Sequence, residues 1–278
     1  MGKWDIKQLT YANDEPTLVD LLEHSKHAKS MGEVIANCEP PYVLGIHGDW
    51  GTGKTSFLKK LHLYLAGEDS HIRDAETRGR QLWDSAYIHK GATVETLWFE
   101  AWRYQYDPNP VIGLLQEIRT HFSWKAKFWD EAGKLTYAAL MSIDELTKKL
   151  GFSASAIQHA GERWEQANRS EPLPAQLYRD LLTQAIDQVL KEEKKSKLVV
   201  LVDDLDRCQG SMVFRLLESL KIYLSLPNVV FVFGLDLMNI QRAVAYELKS
   251  SGIIAGPGEA KPMVHAAEYL NKIFQNIF

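Results

Sequence analysis

Eight consecutive residues, Gly48-Asp49-Trp50-Gly51-Thr52-Gly53-Lys54-Thr55, fit the pattern G-x-x-x-x-G-K-[ST] without a mismatch. That pattern gathers what a polyphosphate needs. Glycines at 48, 51 and 53 remove Cβ atoms where a backbone must turn tightly and approach phosphate oxygens. The amides from Asp49 to Lys54 would converge on one point, reinforced by the N-terminus of a following helix. Lys54 would reach the β- and γ-phosphates as a compact charge and Thr55 would offer its hydroxyl to Mg²⁺; Trp50, Thr52 and Ser56 complete the stretch expected to lie against the nucleotide. With glycine near 7% of residues, a chance match arises in roughly 1 chain in 100 of this length, so context must carry the assignment.

A second chemical element stands 150 residues away. Leu198-Val199-Val200-Leu201-Val202-Asp203-Asp204 is an apolar strand ending in two acids, the form of a Walker B element. Asp203 is expected to hold Mg²⁺ opposite Thr55, and Asp204 to polarise an attacking water as general base. Two acids at the end of so apolar a strand are costly to bury without a cation, which itself argues for metal; the competing reading is that either acid caps the next helix. Asp206 and Arg207 follow directly, as a local ion pair, a helix cap or a catalytic pair. Asp236 lies just past a further apolar run, where related ATPases carry a polar residue sensing the γ-phosphate; a cap for a helix over 237–248 is an equal reading.

These residues need a sheet to hold them. Tyr42 to His47 reads as a buried parallel strand, and Phe57, Leu58, Leu61 and Leu65 put one apolar face on a helix running to Ala66, so strand, loop and helix follow in the required order. Thr93 to Ala101 is a second strand, bounded by the Asp107-Pro108-Asn109-Pro110 break. Leu198 to Val202 and Val229 to Gly234 are two more, with a helix over Met212–Leu226 between them. Strands alternating with helices imply a parallel sheet covered on both faces, an α/β three-layer sandwich. Residues 1–41 form a polar lead-in and one helix; 67–92 read as a long polar connection, and 111–195 as a mainly helical insertion between the two halves of the site. Its aromatic residues Phe122, Trp124, Phe128, Trp129 and Trp164 read as core, since basic residues do not cluster with them.

A formal net charge of −4, with 45% hydrophobic and 24% charged residues, is ordinary for a globular chain of 278 residues; it excludes nucleic-acid binding argued from charge alone, leaving any such contact indirect. Cys38 and Cys208 lie too far apart for a metal motif and suit a reducing compartment. No signal peptide and no run of 18 apolar residues is present, so a cytoplasmic protein without a transmembrane segment is expected. GTP is disfavoured by the lack of an [NT]-K-x-D element, leaving ATP as the expected nucleotide.

Four ordered segments together resemble the KAP family of P-loop NTPases, a branch near the STAND group of regulatory ATPases. Gly45 to Phe57 is similar to its G-x-W-G-x-G-K-T-S loop, Trp50 included; Trp98-Phe99-Glu100-Ala101-Trp102-Arg103-Tyr104 to its W-F-N-A-W-R-Y strand; Val202 to Cys208 to its D-D-L-D-R-C element; and Glu268 to Gln275 to its Y-L-x-K-I-x-Q helix. The resemblance implies a sheet in the order 5-1-4-3-2 with ATP and Mg²⁺ as ligands. It also implies Asp204 as the water-activating acid, and roles for Asp206 and Arg207 beyond a local pair. Arg103 is open between stabilising phosphate charge and a buried salt bridge beside a core Trp102. The implied activity is an ATP-hydrolysing switch driving conformational change or assembly with protein partners or as a homo-oligomer, in bacterial defence against phage or plasmids. A nucleotide-bound scaffold with little turnover and a P-loop phosphotransferase are the alternatives. Many members carry transmembrane helices between the two site halves; here charges such as Lys125, Asp130, Lys134 and Glu145 interrupt that interval. The residues up to Phe278 read as an apolar helix from which family members continue into further regions, so an N-terminal ATPase portion is expected.

Overall fold

The structure, a computed structural model, describes residues 23–66, 93–106, 189–223, 225–251 and 262–278, with positions 113–114, 117–118, 121, 183 and 186–187 besides. The lead-in before residue 23, the connection over 67–92 and almost all of the helical insertion lie outside the described residues. Five parallel strands form one sheet in the order β2-β3-β4-β1-β5. They are β1 (Tyr42–His47), β2 (Val94–Glu100), β3 (Lys197–Asp203), β4 (Val229–Leu235) and the two-residue β5 (Asn276–Ile277). Read from the other edge, the order is the expected 5-1-4-3-2. The described helices are α1 (His24–Asn37), α2 (Lys54–Ala66), α3 (Gly210–Tyr223), α4 (Leu237–Ser250) and α5 (Pro262–Asn271).

Strand alternation sorts the core into two layers. Val199 and Leu201 of β3 face a cluster with Leu58, Leu61 and Leu65 of α2 and Ala28 and Ile35 of α1. Leu198, Val200 and Val202 face the opposite cluster with Val213 and Leu217 of α3, Val244 of α4 and Leu270 of α5. The same parity sends the next odd residue, Asp203, to the face where α2 begins. β3 and β4 are buried at every position, so Leu198 to Val202 and the whole of β4 read as unbroken apolar runs rather than alternating ones.

The chain end departs from expectation. The helix containing Glu268 stops at Asn271, and residues 276–277 are strand rather than helix, pairing with β1 at Leu44 and Gly45. The reason is the exposed edge of β1: Gln275 N–H donates to Val43 O, Phe278 N–H to Gly45 O and His47 N–H to Phe278 O. A short apolar run beside an open edge gains those ladder bonds, which a helix over the same residues would forgo.

One buried charge locks the layers together. Lys197 opens β3 at 6% exposure, and its Nζ donates to the carbonyls of Ile35, Ala36 and Cys38 at the C-terminal end of α1. A cation there satisfies orphan carbonyls and complements the helix dipole. Lys197→Met is expected to lower stability by about 2–3 kcal/mol, because the carbonyls stay buried without a donor. Urea unfolding should show a lower midpoint at unchanged slope; an unchanged midpoint would mean that water serves those carbonyls equally well.

Candidate nucleotide-binding site

The loop between β1 and α2 turns through two left-handed glycines, Gly51 (φ 80°) and Gly53 (φ 85°), conformations that side chains with a Cβ rarely adopt. It is braced internally: Asp49 O accepts from Thr52 N–H at 3.3 Å and from the Thr52 hydroxyl at 2.8 Å. Helix α2 begins at Lys54, so the start of its first turn opens onto the loop. The Lys54 ammonium folds back and uses its three protons on Gly48 O (2.9 Å), Asp49 O (3.1 Å) and Asp206 Oδ2 (3.2 Å).

Strand β3 brings the acids. Asp203 is buried at 2% exposure and accepts a hydrogen bond from the Thr55 hydroxyl. Its approach depends on Gly234 of neighbouring β4, where a Cβ would stand 2.6 Å from Leu58 Cδ1 and 3.3 Å from Asp203 Oδ1. Burial, then the neighbouring Asp204 charge, push the Asp203 carboxyl up to about 6, against the Thr55 bond, which lowers it. Asp204 leaves the strand geometry in a left-handed turn (φ 59°, ψ 26°), which ends the alternation that would otherwise send adjacent side chains to opposite faces. Burial raises the Asp204 carboxyl too, with Arg207 opposing: Arg207 Nε lies 2.6 Å from Asp204 Oδ1. The Arg207 guanidinium also sits 5.6 Å from the ring centre of Trp50, so Trp50, itself 66% exposed, reaches the acidic half through a cation–π contact. Thr55 and Asp203 form an all-oxygen donor pair around a buried carboxylate, which suits a hard divalent ion such as Mg²⁺.

The other sequence candidates occupy the same edge of the sheet with different partners. Asp236 follows β4 and caps α4: Oδ1 accepts from Asn239 N–H at 3.2 Å and Oδ2 from Asn239 Nδ2 at 2.8 Å. Arg103, on the short 3-10 turn after β2, pairs with Glu100 and is largely exposed, as is Trp102, so the buried salt bridge beside a core Trp102 does not form. Asp49 and Ser56 stand in the loop and the first turn of α2.

One residue and one pairing escaped the sequence reading. Glu100 is in register with Asp203 across β2 and β3, and its charge helps raise Asp204; a carboxylate ending a strand was the available signal. The pairing of Asp206 with Lys54 has no local signal at all. Behind them, burial and the charges of Asp204 and Asp206 push the Cys208 thiol up to about 12, which disfavours a thiolate.

A parallel α/β sheet with a glycine-rich loop after the inner strand β1 and a buried acid on β3, two places away, defines a P-loop NTPase domain, a nucleotide-binding class. The KAP family P-loop domain matches residues 24–275, and the chain belongs to that family. No curated protein matches the sequence. Among the described residues no helix is long and apolar enough to cross a membrane.

Proposed function

We propose that this domain binds ATP with Mg²⁺ and hydrolyses it, acting as a switch whose nucleotide state drives conformational change or assembly. The observation that carries the reading is the juxtaposition of Lys54, Thr55, Asp203 and Asp204 at one end of the sheet. Thr55 and Asp203 would hold Mg²⁺, which when bound would supply neutralisation of phosphate charge. Lys54 exchanges its three oxygen partners for phosphate oxygens. Asp204, whose carboxyl is raised by burial, orients a water and accepts its proton as the water oxygen bonds to the γ-phosphorus. The bond from that phosphorus to the β–γ bridging oxygen breaks, leaving ADP and phosphate. Arg207 holds the Asp204 carboxylate until then. Arg103 is the candidate for added charge at the γ-phosphate, with Glu100 as its resting partner, and Asp236 acts by fixing the start of α4 beside β1.

The family resemblance supports protein partners or self-assembly as the output, and a bacterial defence role against phage or plasmids, in the cytoplasm. The Arg207–Asp204 pair favours slow basal turnover and keeps a nucleotide-bound scaffold as the second reading.

Phosphate release from ATP separates the readings. Hydrolysis is expected with Mg²⁺ and lost with excess EDTA, and Asp204→Asn should lower the rate by about 100-fold or more while ATP affinity holds. Turnover that survives both treatments would sink the hydrolytic mechanism. An Asp204→Asn protein that retains full biological output would select the scaffold.

A further inference from the structure

On the flank of the loop away from Asp203, α1 stands over a cavity of about 680 Å³, within the usual range of small-molecule sites. One face of α1 is spent on α2: Ser25, Ala28, Gly32 and Ile35 are buried, with the Tyr64 ring against Gly32. The adjacent stripe, His24, His27, Met31 and Val34, lines the cavity instead. Opposite are Ile46 and Phe57, and Phe278 after β5 closes one side. Val34 and Phe278 are 45% and 57% exposed, large apolar surface that the described residues leave uncovered beside a charged loop. The cavity runs without a break into Gly48, Asp49, Thr52 and Lys54, which belong to the phosphate loop itself.

We infer that this cavity receives the nucleoside of the bound triphosphate, with a purine base against the apolar stripe of α1 and Phe57. The inference rests on the proposed triphosphate site and extends it to what recognises the rest of the molecule. The direction follows from the two flanks. Thr55 and Asp203 fix the γ-phosphate end on one side of the loop, so the α-phosphate and sugar leave by the other, where Gly48 and Asp49 open into the cavity. A flat bicyclic base suits the walls of Met31, Val34 and Phe57 because it buries apolar faces and keeps polar edges. His27 and Ser30, exposed at the rim of the same helix, can exchange hydrogen bonds with those edges.

Two measurements on the 278-residue chain test this. Val34 lies on the open face of α1, so Val34→Trp fills the cavity with little disturbance of the α1–α2 packing. Calorimetric titration with Mg-ATP should show affinity lower by roughly tenfold or more, while Mg-tripolyphosphate, which has no base, binds as before. Equal loss for both ligands, or for neither, overturns the base assignment. Irradiation of the unsubstituted chain with 2-azido-ATP should label the peptide spanning residues 24–37, and labelling confined to other segments overturns the assignment whatever Val34→Trp does. If the unsubstituted chain binds neither ATP nor tripolyphosphate, it is the triphosphate reading that has failed; binding of both with no effect of Val34→Trp removes the base site alone.

Discussion

Lys54→Met is expected to weaken Mg-ATP binding by about 100-fold or more and to abolish measurable hydrolysis, since it removes the cation that the loop is proposed to place among the phosphates. The same substitution should also cost stability, for a reason the motif does not disclose. The Asp206 side chain is 5% exposed and that of Lys54 11%, so the ammonium is the countercharge of a buried carboxylate as well as the proposed ligand for phosphate. Removing one partner of such a pair leaves an uncompensated charge, worth about 3 kcal/mol of destabilisation. Asp206→Asn in the same chain should restore most of that stability and none of the nucleotide affinity. A double-mutant cycle read by urea unfolding and by calorimetry separates the two roles. Large coupling is expected in stability. Asp206→Asn alone should bind nucleotide no more weakly than the unsubstituted protein, because it removes a competitor for Lys54. If Asp206→Asn instead abolishes binding, Asp206 belongs to the nucleotide site proper.

The contrast between Lys54 and Asp206 marks how far the sequence could be read. The loop, α2 and the acid-tipped β3 were legible because each is a continuous stretch whose geometry follows from local rules: left-handed glycines, a 3.6-residue apolar face, an unbroken apolar run. Strand parity even puts Asp203 on the face of α2. The sheet order, by contrast, came from the family resemblance, since nothing local says which strand neighbours which. What stayed hidden depends on residues far apart in sequence. Lys54 meets Asp206, Arg207 rises over Trp50, and Lys197 reaches back to Ile35, only because β1, β3 and α1 meet in space. Residues 276–277 were misread as helix because their pairing depends on an edge of β1 that their own sequence does not describe. Asp236 kept two readings for a similar reason: a carboxylate at the end of β4 can cap or sense, and the capping contact with Asn239 is visible only in three dimensions.

Asp203→Asn should make the nucleotide-free protein more stable and abolish the proposed hydrolysis. Asp203 is pushed up to about 6 by burial and by Asp204, so the folded protein holds that proton more tightly than the unfolded chain does. For a carboxylate shifted upward, ionisation opposes folding: stability falls as pH rises from the unfolded value towards about 6, and the cost stays in full above it. A shift of this size corresponds to at most about 3 kcal/mol at neutral pH, and part of it will relax on substitution. Asparagine keeps the shape and can still accept from the Thr55 hydroxyl, but carries no charge to desolvate. Urea unfolding without nucleotide should therefore show Asp203→Asn more stable at pH 7.5 by about 1–2 kcal/mol, with the advantage gone near pH 4. Phosphate release should fall by about 100-fold or more, and Mg²⁺ should no longer add to the stabilisation that ATP confers. A substituted protein less stable at pH 7.5 would mean that neighbouring groups already neutralise the carboxylate, which removes the physical argument for a cation between Thr55 and Asp203. A gain in stability joined to a loss of turnover would instead mark the buried charge as held at the expense of the fold, for the sake of the metal.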